Sequence, residues 1–207
     1  MTFIITAGPT REYIDPVRFL SNPSTGKMGF AVARAAAERG HTVVLVAGPV
    51  ALRTPKGVTR VDVVSAREML AAVERAAKAF PNAVFVATAA VADWRPATCA
   101  VRKLKKSQMT DTLKLMRNPD ILRTVRGVRK IGFAAETNDV LAEATRKCRE
   151  KGLEMIVAND VTEKGAGFGT NTNRVAFLHK DGTVERLPLM SKLAIARRII
   201  RIAERHP

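Results

Sequence analysis

The sequence predicts an α/β protein, a doubly wound and mostly parallel sheet with helices on both faces that ends in a C-terminal β-hairpin plus helix. Three observations predict it. Short, wholly apolar runs such as Ala83–Ala87 are too hydrophobic for half-exposed strands. They alternate with longer segments of helical period. The last third then changes to two strand-like runs on either side of Asp181-Gly182.

Taken in order, Phe3–Ala7 is a buried strand. After a long loop, a helix from about Gly26 to Arg39 puts Phe30, Ala33 and Ala37 on one face and stops at Gly40. Thr42–Ala47 and Val61–Val64 are strands, Ala66–Ala79 a helix, and Ala83–Ala87 the central strand. Lys130–Ala134 and Glu154–Ala158 are further strands with the helix Val140–Lys151 between them. Arg174–His179 and Thr183–Leu187 make the hairpin, and an amphipathic helix, Ser191–Arg205, closes the chain. A Rossmann-like sheet of this kind binds ligands outside the carboxyl ends of its strands, where the strand order reverses. Attention therefore falls on the loops TAGPTR (6–11), AGPV (47–50), ATAAVADWRP (87–96), FAAETN (133–138) and ANDVTEKGAGFGTNTN (158–173).

The 207 residues, 46% hydrophobic, suit a single domain with a proper core, and no apolar run approaches the ~20 residues of a membrane span. The opening MTFIITAGPT reads as a strand rather than a basic leader, so the expected compartment is the cytoplasm. Cys99 and Cys148, with no CxxC and no His/Cys cluster, leave no zinc site or disulfide framework. His41, His179 and His206 sit at turns or the terminus and take no role. The net charge of +16 raises a nucleic-acid-binding module as one alternative. Aromatics are only 5% and the basic residues are scattered, so a field that attracts small phosphorylated substrates is the simpler reading.

Several stretches carry chemistry. LSNPSTGKMG, Leu20 to Gly29, nearly spells a Walker phosphate loop, but Ser21 stands in place of the first glycine and Met28 in place of the magnesium-binding hydroxyl. Lys27 within it is either a solvated first-turn lysine or a substrate contact. Asp93 follows the central strand, and Arg102-Lys103-Leu104-Lys105-Lys106 comes shortly after. An acid that can hold magnesium beside lysines that can neutralise a triphosphate suits nucleotidyl transfer. Asn118-Pro119-Asp120-Ile121-Leu122 reads as a helix start with Asn118 capping, and such a start is also an anion site. Lys147 and Lys151 share one helix face near its end, where they also favour the helix dipole. Gly165 to Gly169 is a lid or a tolerated excursion.

The segments ITAGPTREYIDPVRFLSNPSTGKMG, AAVADWRP, KLKK, NPDIL, GFAAET and IVANDV, in this order from residue 4 to 161, resemble the bacterial phosphopantothenate–cysteine ligase family of coenzyme A synthesis. That ligase is usually fused behind a flavin-dependent decarboxylase, a half that these 207 residues do not include, and Trp94 stands where an aromatic, often tyrosine, is usual. The resemblance implies a carboxylate of 4′-phosphopantothenate attacking the α-phosphorus of CTP, with Mg2+ as cofactor, and L-cysteine then displacing CMP. It implies that Ala87, Thr88 and Ala89 meet the nucleotide, that Asp93 lies beside the phosphates and metal, and that Lys103 is catalytic. Pro119, Asp120, Ile121 and Leu122, with Phe133, Lys147 and Lys151, complete the nucleotide site by the same matching. Asn22 is implied to contact the phosphopantothenate and the acyl-cytidylate, with Arg18 close by.

The resemblance further implies a homodimer and a separate decarboxylase chain as partners, and neither a membrane nor nucleic acid is expected. An NAD(P)-dependent reductase is the enzymatic alternative, weakened because TAGPTRE lacks the G-x-G-x-x-G spacing and no Tyr-x-x-x-Lys pair exists. The segment Arg102 to Thr112 has few apolar anchors and is expected to be a mobile lid, and Arg11 to Asn22 is expected to have no helix or strand of its own.

Overall fold

The computed structural model describes residues 1–106, 111–136, 140–160, 162–163, 165–167 and 169–205. In chain order the elements are β1 (Thr2–Ala7), β2 (Arg11–Tyr13), β3 (Phe19–Ser21), α1 (Lys27–Glu38), β4 (Thr42–Ala47), β5 (Val58–Asp62), α2 (Ala66–Ala79), β6 (Val84–Ala87), β7 (Trp94–Pro96), β8 (Leu115–Arg117), α3 (Ile121–Thr124), β9 (Arg129–Glu136), α4 (Val140–Glu150), β10 (Met155–Asp160), β11 (Thr172–Asn173), β12 (Ala176–His179), β13 (Val184–Arg186), β14 (Met190–Ser191) and α5 (Lys192–Glu204). Outside the described residues lie Ser107 to Thr110 of the expected lid, Thr137 and Asn138 of FAAETN, Val161, Lys164 and Phe168 of the long loop, and His206.

Eight strands form one sheet in the order β13-β12-β10-β9-β6-β1-β4-β5. The six from β10 to β5 run parallel, and β12 and β13 extend the sheet antiparallel beyond β10. From β1 the chain moves outward to β4 and β5, then returns to the other side of β1 at β6 and moves outward again through β9 and β10. The order therefore reverses between β1 and β6, which places a ligand crevice outside Ala7 and Ala87.

Period-two alternation feeds both faces of the sheet. On β1, Phe3 and Ile5 pack with Phe30 and Ala33 of α1 and Ile195 and Ile199 of α5. Ile4 points the other way, into a cluster with Met69 and Val73 of α2 and Ile121 of α3. α4 covers the sheet beside β9 and β10 through Ala144 and Cys148, where burial pushes the Cys148 thiol pKa up.

Several elements depart from the sequence expectation. β5 runs from Val58 to Asp62 instead of Val61 to Val64, because its register with β4 pairs Val43 with Val58 and Ala47 with Asp62. Arg11 to Asn22 does carry strands: β2 and β3 pair as a hairpin. Its turn is organised by Asp15, whose Oδ1 accepts the N–H groups of Val17 and Arg18 at 2.9 Å each, a turn built by a side chain. β7 and β8 form a second hairpin, across a loop too long for turn residues to reveal it. At the NPDIL start the cap is Asp120, which accepts from Arg123 N–H at 3.1 Å, and Asn118 is not the cap. Asn118 is engaged elsewhere: its side chain donates to Ala92 O and its N–H to Asp93 O, each at 2.8 Å.

Candidate functional site: two chambers at the switch point

The crevice is built from loops that hold one another. Ala90 N–H donates to Gly8 O at 2.9 Å, Ala92 N–H to Thr10 Oγ1 at 3.0 Å, and Thr88 Oγ1 to Thr6 O at 2.6 Å, so the loop after β6 lies along the loop after β1. Asn22 adds a third strap, its amide donating to Ala90 O at 3.1 Å and Val91 O at 3.3 Å.

A small chamber of about 110 Å³ opens at the start of α1. Gly26, the residue before the helix, has φ +77°, which a side chain would oppose, and no side chain caps the first turn. The uncapped N–H groups and the positive end of the helix therefore face the chamber. Its walls come from Ser24 to Gly29, Thr88 to Ala90, Phe133, Ala135, Asn159, Gly167, Asn173 and Lys192. Lys192 is 7% exposed, and its ammonium donates to Gly167 O at 2.9 Å and Thr170 O at 2.8 Å. Burial, and then the charge of Lys27, push its pKa down. A helix start and two cations make this a chamber for a small anion.

A larger chamber of about 810 Å³ shares Ala89, Ala90, Phe133 and Ala135 with the first. It is bounded by Asn22, Ala87, Asp93, Trp94, the run Asn118 to Arg123, and Lys147 and Lys151 of the α4 end. Lys151 bonds Asp120 at 2.9 Å. Burial raises the Asp120 carboxyl pKa, but the bond and charge of Lys151 outweigh it, so the group lies below its ordinary value. Beneath this edge the buried Lys130 donates to Leu122 O at 2.8 Å, with its pKa pushed down first by burial and then by Arg126.

Asn22, Ala87, Ala89, Asp93, Pro119 to Leu122, Phe133, Lys147 and Lys151 thus gather around the large chamber, and Thr88 lines the small one. Two implicated residues lie elsewhere. Lys103 is exposed in the loop between β7 and β8 and lines neither chamber. Arg18 also lines neither: its guanidinium bonds the Asp15 carboxylate and donates to Leu104 O at 3.0 Å. Lys27 is neither simply solvated nor free, since its ammonium reaches Gly169 O at 2.6 Å and Asn171 Oδ1 at 2.9 Å. With Lys192 it ties the glycine loop over the small chamber, so the described part of that loop is a tethered cover. Sequence reading passed over Asn159, Lys130 and Lys192. Asn159 sits at the carboxyl end of a strand and was there to be read, whereas Lys192 looked like one more basic residue on an amphipathic helix.

Residues 1–205 match the family described as DNA/pantothenate metabolism flavoprotein C-terminal domain. The chain belongs to this family. It is 48% identical over 206 residues to the Coenzyme A biosynthesis bifunctional protein CoaBC of Vibrio cholerae, a match covering 96% of this chain and 51% of the relative. The chain thus spans about half the length of the curated relatives it matches. The crystal structure of the C-terminal domain of Coenzyme A biosynthesis bifunctional protein CoaBC superposes with a TM-score of 0.82 at 44% identity, covering 99% of this chain and 94% of that one. A mutant of Cab2 in complex with phosphopantothenate-cysteine shares the fold, with a TM-score of 0.81 at 17% identity over 99% of this chain and 86% of that one. Both chambers of the flavoprotein C-terminal domain described here lie within the matched span.

Proposed function

We propose that this chain ligates cysteine to 4′-phosphopantothenate with CTP, through an acyl-cytidylate. The observation that carries the reading is the pair of chambers meeting at Ala89, Ala90, Phe133 and Ala135. A substrate with a phosphate at one end and a carboxylate at the other suits a small cationic chamber that opens on a large one. The bifunctional name of the relatives and the ligand named for Cab2 support the same substrate class.

In the first step a carboxylate oxygen attacks the α-phosphorus of CTP and pyrophosphate leaves. In the second, the cysteine amine attacks the acyl carbon, CMP leaves, and the amine loses a proton as the amide forms. The start of α1 with Lys27 and Lys192 holds the phosphate of the pantothenate substrate. The small side chains at Ala87, Ala89 and Ala90 let backbone N–H and C=O groups approach the cytosine closely. Lys147 and Lys151 lie along the triphosphate, whose oxygens compete with Asp120 for Lys151.

Among the described residues no group of three or more His, Cys, Asp or Glu could cage a metal. The exposed carboxylate of Asp93 at the chamber edge nevertheless fits magnesium that arrives on the triphosphate, since that ion commonly takes one or two carboxylates plus phosphate oxygens. Magnesium held there would neutralise charge on the phosphates.

Pyrophosphate release is expected with CTP only when phosphopantothenate and magnesium are both present. Equal turnover with ATP, or release without phosphopantothenate, would sink the reading. A decarboxylase, on the same chain or another, is the fitting consumer of the product. No helix among the described residues is long and apolar enough to cross a membrane.

Assembly as a homodimer belongs to the same proposal. Val17 and Phe19 on the β2–β3 hairpin, and Trp94, Leu115 and Met116 on the β7–β8 hairpin, are between 39% and 56% exposed. Such a collection of large apolar side chains on neighbouring hairpins suits a second copy as cover. Light scattering is expected to give twice the mass of one chain at micromolar concentration. A fully active monomer would exclude the dimer.

A further inference from the structure

The loop that carries Lys103 is anchored by an ion pair between a buried carboxylate and a half-buried guanidinium, which the site described above does not include. The Asp15 side chain is fully enclosed. Its Oδ2 accepts from Arg18 Nε at 3.0 Å and from the Leu104 N–H at 3.2 Å, across 89 residues of sequence. Arg18 Nη2 in turn donates to Leu104 O at 3.0 Å. Both backbone polar groups of Leu104 are thus held by one carboxylate–guanidinium pair. A third bond, Ala100 N–H to Ile14 O at 2.9 Å, lays the start of the loop on the same hairpin.

Fixing both peptide groups around Leu104 sets the direction in which the preceding residue leaves the chain. We propose that Asp15 is a positioning residue that acts through Leu104 to fix the root of Lys103. The inference rests on the ligase reading and deepens it by naming what holds the lysine. An ionised carboxylate is required. It is an acceptor at both oxygens, whereas asparagine would turn an N–H2 group toward either the Arg18 and Leu104 donors or the N–H groups of Val17 and Arg18. The guanidinium beside Asp15 holds its carboxyl below the usual carboxylate range.

The test compares Asp15→Asn, Lys103→Gln and the double variant by rapid-quench transfer of the acyl-cytidylate to cysteine. Asp15→Asn is expected to slow transfer by up to ~10²-fold through misplacement while still forming the intermediate. Added to Lys103→Gln it is expected to cost no more than about twofold further, because a residue that acts through Lys103 has nothing left to act through. Losses that multiply in the double variant overturn the proposal. If Asp15→Asn fails to fold, Arg18→Gln, which removes the bond to Leu104 O, enters the same cycle with the same two outcomes. A wild-type enzyme that forms no acyl-cytidylate overturns the ligase reading by itself. The clamp is then still read by trypsin, which should cut after Arg102 and Lys103 faster in Asp15→Asn, and unchanged cleavage rejects it.

Discussion

Replacing Lys103 by glutamine is expected to leave formation of the acyl-cytidylate intact and to slow its transfer to cysteine by roughly two or more orders of magnitude, the effect of losing one ~3 kcal/mol electrostatic contact. The ammonium is exposed and lines neither chamber, so its role requires the loop to close or a second copy to bring it across. Either route starts at Leu104, whose backbone is held by Asp15 and Arg18. Glutamine keeps the length and some hydrogen bonding but removes the charge that opposes the developing oxyanion as the amine attacks. Arginine should restore the activity only in part, since its planar fork places charge differently from a compact ammonium. Trapping acyl-cytidylate in the variant supports the role, and normal turnover eliminates it.

Gly29→Ala tests the packing that shapes the small chamber. In an ordinary helix the change stabilises by about 1 kcal/mol. Here an added Cβ would lie 2.4 Å from Ala7 Cβ, 2.4 Å from Thr88 Oγ1 and 3.0 Å from Ala7 Cα. None of these is the far end of a flexible side chain, so α1 must move away from β1. Overpacking of this kind costs about 1–3 kcal/mol, which outweighs the propensity gain at its upper end and lowers the melting temperature by roughly 2–4 °C per kcal/mol lost. The displaced helix start should also weaken phosphopantothenate binding more than CTP binding, because the helix start walls the small chamber and lies outside the large one. Thermal unfolding and calorimetric titration measure both. An unchanged melting temperature with unchanged phosphopantothenate affinity would show that the contact is not tight in solution.

Much of the fold was legible. The helix Ala66–Ala79 was read to the residue, and the capping pattern explains why: Ser65 accepts from Glu68 N–H and fixes the start. Strands buried between helix layers were equally plain, since apolar residues dominate them, with Thr6, Lys130 and Asn159 as buried polar exceptions. The short hairpins were not. β2 and β3 have three residues each and show no alternation long enough to read, and β7 and β8 meet across a long loop. The NPDIL cap was misplaced by two residues because Asn118 is a good capping residue in isolation, and only the position of the Asp93 loop shows that its side chain is taken.

By itself the sequence determined the alternation of strands and helices, the family, and a set of residues most of which line one cleft. These are local properties: periodicity, turn chemistry and motifs are written in neighbouring residues. Tertiary structure alone decided that the order reverses between β1 and β6, that the cleft divides into two chambers, and that Lys27, Arg18 and Lys130 each donate to a backbone carbonyl, of Gly169, Leu104 and Leu122. Every residue carries a carbonyl, so such a partner leaves no mark in the sequence. Its position becomes known only when the chain has brought it within reach of the cation.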